Sequence, residues 1–295
     1  MVCDVKNHLV REINLHSKQV KHVAGIKGVR GCDTVGGEKI PTEQELASPW
    51  DIVLSPTTGE FLIAMAGTHQ IWSLDIKNTN RCKRISGSGA EGNANERPES
   101  TTWAQPSGLS IGRFNGESSL FVADSESSAV RAFSLDTEMA SNVAGANDDA
   151  SDLFDFGDSE GVGFAAKLQH PLGVHYCEAN QTLYVADTYN HKIKEMRQEG
   201  RGEELTSTTP LVNWVGATNE STAKVLDGAA GTARLNEPNG CWAKVSDEGE
   251  FLGLYIADTG NDCIRFASAD DGRVETLELQ GVPDVRNTAS DCLGG

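Results

Sequence analysis

Short apolar runs recur roughly every 10–15 residues along the chain, with glycine, proline, asparagine or aspartate between them. One clear run is Leu183-Tyr-Val-Ala186, and a matching run later in the chain is Leu254-Tyr-Ile-Ala257. Runs this short, bounded by turn-forming residues, are typical of β-strands. The longest unbroken apolar run, residues 61–66, is far shorter than the ~18 residues that a membrane-spanning helix needs. The pattern therefore predicts an all-β protein without a membrane-spanning helix.

These runs belong to a repeated phrase in which an apolar strand ends at aspartate and a short polar turn leads into another strand. Copies of the phrase occupy residues 4–11, 62–72, 120–131, 183–194 and 254–265. Aspartate holds the end of the strand in four copies, at Asp4, Asp124, Asp187 and Asp258, whereas Met65 stands there in the second copy. Aspartate and asparagine side chains stabilise tight turns by bonding to nearby backbone groups. Each copy therefore predicts a hairpin.

Two further signals keep a fixed order around this phrase. A proline turn lies 16–20 residues before the aspartate position, at Pro49, Pro106, Pro171 and Pro238. A strand ending in glycine lies 21–29 residues after the aspartate position, with its last residue at Gly25, Gly87, Gly145, Gly216 or Gly281. Three signals in one order at narrow spacing predict a repeated unit of four short strands.

A four-stranded sheet of this kind cannot bury both of its faces alone, so neighbouring units are expected to stack around an axis as propeller blades. The predicted first blade, at about residues 1–27, is partial and holds two strands. Four complete blades are predicted at about residues 46–88, 104–146, 169–217 and 236–281. Because a propeller must close to cover its sheet edges, this organisation favours a fragment whose missing strands precede Met1. Residues 282–295 are expected to be a truncated, disordered tail.

The repeated phrase resembles the NHL repeat, which is named for an Asn-His-Leu triplet that stands here as Asn7-His8-Leu9. Asn190-His191 with Ile193 fits the same pattern. The resemblance runs from about residue 4 to about residue 281. It implies a six-bladed NHL-type β-propeller that follows a thioredoxin-like domain and precedes a short β-rich tail in the intact relatives; one plastid relative also carries a phosphatase-like domain. This chain contains no thioredoxin-type cysteine pair.

Certain positions of the repeat are predicted to be structural. Histidines recur at one position of the repeat, His8, His69 and His191, which favours a turn and packing role over catalysis. The structural repeat positions are Asp4, Asn7, His8, His69, Pro106, Asp124, Pro171, Asp187, Asn190, His191, Pro238, Asp258 and Asn261. Trp50, Trp103, Trp214 and Trp242 fall near the predicted blade junctions, where packing between blades is favoured over a ligand platform.

Charge and cysteine content narrow the functional classes. The 295 residues include 25 lysines and arginines against 43 aspartates and glutamates, which gives a formal net charge of −18. A protein with this much negative charge repels nucleic-acid phosphates and anionic lipids. Neither a nucleic acid nor a membrane is therefore an expected partner. Seven widely spaced cysteines without a Cys-x-x-Cys pair disfavour a disulfide framework or zinc site. Without a signal-peptide pattern, the chain is expected in the cytoplasm, or in a plastid if it belongs with the plastid relative.

Two segments suggest ligand binding, but each has a simpler interpretation. Gly87-Ser-Gly-Ala-Glu-Gly92 matches G-x-G-x-x-G, although the residues after it are poor at starting the helix that a dinucleotide site needs. Residues 132–166 hold eight carboxylates and no lysine or arginine, with a spacing unlike that of a calcium loop. A solvated insertion between blades is favoured there. Within it, Leu153, Phe154 and Phe156 are expected either to pack on the propeller or to meet a partner.

The candidate chemistry leaves three functional hypotheses. The preferred one is a non-catalytic scaffold that binds other proteins, with no catalytic residue and no cofactor predicted. A second is a propeller hydrolase or lyase with an axial metal, for which His170 and His175, flanking the first strand of one blade, are the candidate ligands. A third is single-stranded RNA binding through the basic clusters at residues 18–30 and 81–84.

Overall fold

The computed structural model describes residues 1–35, 39–198, 204–217 and 225–279. Within these ranges the regular elements are β-strands and short 3₁₀ turns, and no α-helix occurs. The strands form five successive antiparallel sheets that are the blades of a β-propeller. No helix of the described residues is long and apolar enough to cross a membrane. Gly281, predicted to end the last strand, and the tail at 282–295 lie outside the described residues.

Nineteen strands make up the described blades, and neighbours along the chain are neighbours in each sheet. The first blade holds β1 (Val2–Asp4), β2 (Leu9–Ile13) and β3 (Val20–Ala24). The second holds β4 (Pro49–Leu54), β5 (Phe61–Met65), β6 (Gln70–Asp75) and β7 (Arg81–Ser86). The third holds β8 (Pro106–Phe114), β9 (Glu117–Asp124), β10 (Ala129–Ser134) and β11 (Ala140–Gly145). The fourth holds β12 (Gly173–Cys177), β13 (Thr182–Asp187), β14 (Lys192–Met196) and β15 (Leu211–Val215). The fifth holds β16 (Pro238–Val245), β17 (Phe251–Asp258), β18 (Cys263–Ser268) and β19 (Val274–Thr276).

The first blade differs from the prediction, because it contains three strands rather than two. Only three residues precede Asp4, yet Val2, Cys3 and Asp4 pair with Arg11, Val10 and Leu9. Three residues are enough for an antiparallel ladder when a tight turn already brings the partner strand alongside. The prediction of a partial first blade followed by four four-stranded blades otherwise agrees with the described sheets.

The turn after each repeat aspartate is a single 3₁₀ turn that ends in a left-handed residue. In the fourth blade the turn spans Thr188–Asn190, and His191 adopts a φ of 56°. The amide of Asn190 donates a hydrogen bond of 2.8 Å to the Asp187 carboxylate. Equivalent bonds join Asn7 to Asp4 and Asn261 to Asp258. The asparagine therefore ties the two ends of the turn together, which fixes the hairpin.

Apolar side chains fill the space between adjacent blades. Because successive residues of a strand point to opposite faces, Leu183 and Val185 pack towards the third blade, whereas Tyr184 and Ala186 pack towards the fifth. Strands in the middle blades, such as β10, are consequently buried on both faces. The core is thus a series of layers between sheets.

Within the described residues, each terminal blade has one sheet face that no other blade covers. In β18 buried positions alternate with partly exposed ones, unlike the fully buried β10. Leu15 and Val20 are exposed beside the first blade, and Tyr255 and Phe266, which pack on each other, are only partly buried on the fifth. Uncovered apolar surface of this kind favours association with another protein surface.

The 295-residue chain by itself is expected to self-associate through these faces, because burying them removes apolar surface from water. Sedimentation velocity over a range of protein concentrations would measure the association. The double substitution Leu15→Glu and Val20→Lys, at exposed apolar positions beside the first blade, should shift the population towards monomer. A wild-type chain that stays monomeric at every concentration and unfolds cooperatively would contradict this prediction.

Candidate functional site

The repeat aspartates of the third, fourth and fifth blades accept hydrogen bonds from their own turn, from a cation seven residues later and from the chain that starts the blade, whereas Asp4 accepts the first two. Asp124 is fully buried, and its Oδ1 accepts a bond of 2.7 Å from the backbone amide of Ala104. Its Oδ2 lies 2.8 Å from a guanidinium nitrogen of Arg131, which is also buried. Equivalent pairs are Asp4–Arg11, Asp187–Lys194 and Asp258–Arg265. These ion pairs hold the hairpin against the incoming chain.

The second blade carries an apolar version of the same contact. Met65 replaces the aspartate, and its Sδ lies 3.2 Å from the backbone amide of Ala47. Seven residues later, where the other copies have arginine or lysine, stands the buried Trp72. Carboxylate and cation have thus been replaced together. The cation at this spacing was visible in the sequence as a regular feature of the repeat, but the sequence argument did not use it.

The repeat histidines connect one blade to the next. In each case the ring Nδ1 accepts a hydrogen bond of 3.0–3.2 Å from the backbone amide of the residue that precedes the next blade's first proline. The pairs are His8 with Ser48, His69 with Gln105, and His191 with Glu237. The backbone residues on both sides of these bonds have left-handed conformations. The geometry makes these histidines connectors between blades.

His170 and His175, the candidate axial ligands, do not meet at one point. The ring of His170 stacks on that of Tyr189, with centroids 4.7 Å apart, beside the 3₁₀ turns. The ring of His175 packs on Trp242 instead, and burial lowers its pKa to about 4. The two histidines line different cavities. Among the described residues, no group of three or more histidine, cysteine, aspartate or glutamate side chains is placed to hold a metal ion.

The tryptophans fall into two groups. Trp103 is fully buried, and Trp214 packs on Tyr184 and Phe251 between the fourth and fifth blades, as predicted. Trp50 and Trp242, however, are 42% and 67% exposed. Both lie on the first strand of a blade, β4 or β16, and line the central channel. Trp242 also packs on His175 of the fourth blade, so the prediction of packing between blades holds for Trp242 although its ring is not buried.

The G-x-G-x-x-G segment forms a turn between blades. Gly87 and Gly89 have φ values of 106° and 93°, in the left-handed region that favours glycine. A Cβ atom on Gly87 would lie 2.6 Å from the carbonyl oxygen of His69. The residues that follow adopt bends and turns rather than a helix. The glycines therefore serve close chain approach.

The acidic insertion is fastened to the fourth blade by three lysines, so the expectation of a solvated segment is only partly correct. Asp155 lies 2.7 Å from the Lys167 ammonium. Asp158 pairs with both Lys192 and Lys194, whose side chains are almost completely buried. The hydrogen bond from Lys167 lowers the pKa of Asp155. For Asp158 burial alone would raise the pKa, but the bond from Lys192 and the charge of Lys194 outweigh it and lower the pKa.

An aromatic cavity lies beside this fastened segment, on the propeller face that carries the 3₁₀ turns. We call it the aromatic cavity, and it has a volume of about 340 Å³. Its lining residues are Glu91, Glu126, Ser128, Leu153, Phe154, Phe156, Gln169, His170 and Tyr189. Phe154 is 84% exposed, and Phe156 and Tyr189 are about half exposed. Of the two alternatives that the sequence left open, Phe154 thus does not tuck onto the propeller.

Curated relatives match nearly the whole chain. No family model matches it. NHL repeat-containing protein 2 from Homo sapiens is 40% identical over 295 residues, which cover 94% of this chain and 38% of the human protein. Protein SUPPRESSOR OF QUENCHING 1, chloroplastic, from Arabidopsis thaliana is 40% identical over 286 residues, which cover 95% of this chain and 25% of that protein. These similarities confirm the resemblance inferred from the repeats, and the chain spans well under half the length of these relatives.

Solved structures share the fold at low sequence identity. An auxiliary nutrient binding protein from Bacteroides ovatus superimposes with a TM-score of 0.58 at 12% identity, over 92% of this chain and 52% of that one. A streptogramin B lyase superimposes with a TM-score of 0.50 at 11% identity, over 96% of this chain and 65% of the lyase chain. At these identities the likeness concerns the propeller fold alone.

Proposed function

Because this chain is related over nearly its whole length to the proteins named NHL repeat-containing protein 2, we propose that it is a non-catalytic propeller that binds another protein. The observation that carries the proposal is the aromatic cavity, where Phe154 stands 84% exposed on a segment that is otherwise fastened to the blade. Aromatic side chains held exposed on a firm scaffold are typical anchors of protein interfaces.

Energetics support the same assignment. Full burial of a phenylalanine side chain stabilises by about 1.5–3 kcal/mol relative to leaving it in water. Two exposed phenylalanines within three residues of each other therefore offer a compact source of binding free energy. The ion pairs of Asp155 and Asp158 hold their segment before a partner arrives, which lowers the ordering cost of binding.

Two features of the intact relatives extend the proposal. We propose that this propeller forms part of a six-bladed ring in a longer protein, where a further blade covers the apolar faces left open on the first and fifth blades. We also propose that a thioredoxin-like domain stands beside the ring, as the NHL-repeat resemblance implies, and that the propeller presents partners to it.

Peptide display tests the binding function directly. A library of random peptides panned on the wild-type chain is expected to enrich a set that binds the double variant Phe154→Ala, Phe156→Ala at least about tenfold more weakly, since each lost anchor costs about 1 kcal/mol or more. Phe164→Ala is the matched control, because Phe164 is exposed in the same segment but does not line the cavity. If no peptides are enriched, or if the enriched peptides bind the double variant as tightly as the wild-type chain, the support for this function is removed.

A further inference from the structure

The aromatic cavity presents flat ring faces to an incoming side chain. The rings of His170 and Tyr189 are nearly parallel, with 8° between their planes. Tyr189 is 47% exposed, so the stack is open to solvent on one side. Phe154 and Phe156 complete the aromatic wall. Ring faces attract cations, and they attract the planar guanidinium of arginine in particular.

Carboxylates at the rim add a second attraction for a cation. Glu91 and Glu126 both line the aromatic cavity, and no lysine or arginine does. Oε1 of Glu126 accepts a hydrogen bond of 3.1 Å from Gln105 and lies 3.9 Å from Nδ1 of His170. Carboxylate oxygens have more than one lone pair, so Glu126 can accept further donors.

The distribution of lysines explains why this rim stays acidic. Lys167 pairs with Asp155, and Lys192 and Lys194 pair with Asp158, under the segment that carries the phenylalanines. Their charges are therefore used to fasten the insertion and do not neutralise the cavity. The surrounding protein reinforces this local charge, because the whole chain has a net charge of −18.

We propose that the aromatic cavity binds an arginine side chain of a basic segment in a partner protein, with a neighbouring apolar side chain of that segment packed on Phe154. The guanidinium stacks on the exposed face of Tyr189 and donates hydrogen bonds to Glu126 and Glu91, which a planar group with five donors can do at once. A volume of about 340 Å³ is near the lower end for ligand pockets and fits one or two side chains of an extended segment. This inference rests on the proposed function and names its partner class.

A peptide array tests the partner class. Peptides of about ten residues, varied in composition and probed with the wild-type chain, are expected to bind best when arginine lies next to leucine or phenylalanine. Replacing that arginine by citrulline, which keeps the shape and removes the charge, should weaken binding about tenfold, and replacing it by lysine should weaken binding less. Binding should also weaken as salt is raised, because the charges at the rim are screened.

Variants of the protein separate charge from apolar contact. The double variant Glu91→Gln, Glu126→Gln is expected to lose about tenfold in affinity for the arginine peptides and most of the salt dependence. The matched control is Glu138→Gln, Glu178→Gln, which removes the same charge from exposed hairpin turns at the other end of the strands. Equal loss in both double variants would overturn the proposal, since general acidity would then explain the binding.

The outcomes distinguish the partner class from the binding function. Neutral or acidic peptides that bind through Phe154 would overturn the arginine proposal and leave the binding function intact. If no array peptide binds the wild-type chain more tightly than it binds the Phe154→Ala, Phe156→Ala variant, both the arginine proposal and the binding function are overturned. Arginine-dependent binding that the citrulline and glutamine substitutions abolish supports both.

Discussion

Replacing Asp124 with alanine is expected to lower the free energy of unfolding by about 3–5 kcal/mol, the cost typical of removing one partner from a buried ion pair. The side chains of Asp124 and Arg131 are 0% and 1% exposed and lie 2.8 Å apart. Without the carboxylate, the guanidinium stays buried without a counter-charge. The backbone amide of Ala104 also loses its acceptor.

The remaining contacts of Arg131 make relaxation difficult. Its guanidinium donates to the carbonyl oxygens of Thr102 and Ala94 and lies 4.3 Å from the ring centre of Trp103. These contacts keep the charge in place, so the protein cannot avoid the penalty by exposing it. Urea unfolding followed by tryptophan fluorescence would measure the loss.

The same repeat supplies a matched control. Asp4 and Arg11 occupy the equivalent positions in the first blade, but their side chains are partly exposed to solvent. Asp4→Ala should therefore cause only a small shift of the urea midpoint, because exposed ion pairs contribute little. Equal shifts for Asp4→Ala and Asp124→Ala would show that burial is not what makes the pair important.

Replacing Lys194 with alanine is expected to destabilise the protein by a similar amount, about 3–5 kcal/mol, and to release the acidic insertion. The Lys194 ammonium is fully buried and lies 2.9 Å from Asp187 and 3.1 Å from Asp158. It also donates a bond of 2.6 Å to the carbonyl oxygen of Lys167. Urea unfolding would measure the stability, and limited proteolysis would report cleavage within residues 146–166. Lys39→Ala, which removes an exposed cation paired with Asp33, is the control.

The pH dependence of the insertion gives an independent check on Lys194. The pKa of Asp158 is lowered in the folded protein, so its contribution to stability is complete above the ordinary aspartate pKa and is lost as pH falls through the lowered value. In the Lys194→Ala variant this pKa should move back towards its ordinary value. As pH is lowered, the amides of residues 146–166 should therefore lose their protection from hydrogen exchange at a higher pH in the variant than in the wild type. Identical pH profiles would contradict the role of Lys194 as a fastener.

The blades could be predicted from the sequence because their signals are local and repeated. Proline, the aspartate turn and the final glycine each act within a few residues, and five copies of the pattern reinforce one another. The prediction was wrong for the first blade, where β1 spans only three residues and carries no alternation long enough to recognise. The exposure of Trp50 and Trp242 was also missed, because the local pattern does not record how closely the first strands of different blades approach one another.

The acidic insertion shows the opposite case. Its carboxylates stand in a stretch of 35 residues, 132–166, without a single lysine or arginine, so the local sequence indicates a solvated loop. The cations that neutralise it come from Lys167 and from Lys192 and Lys194, up to 36 positions away along the chain. Only the folded blade brings them beneath Asp155 and Asp158.

Strand alternation and turn chemistry operate over distances of a few residues, so the repeating unit, the all-β fold and the order of the blades could be read from the chain alone. Which acids are paired and which stay open became visible in the folded protein. Ion pairing depends on distances in space that no local pattern records, and it fastens the insertion while leaving Phe154, Tyr189 and two glutamates around a solvent-open cavity.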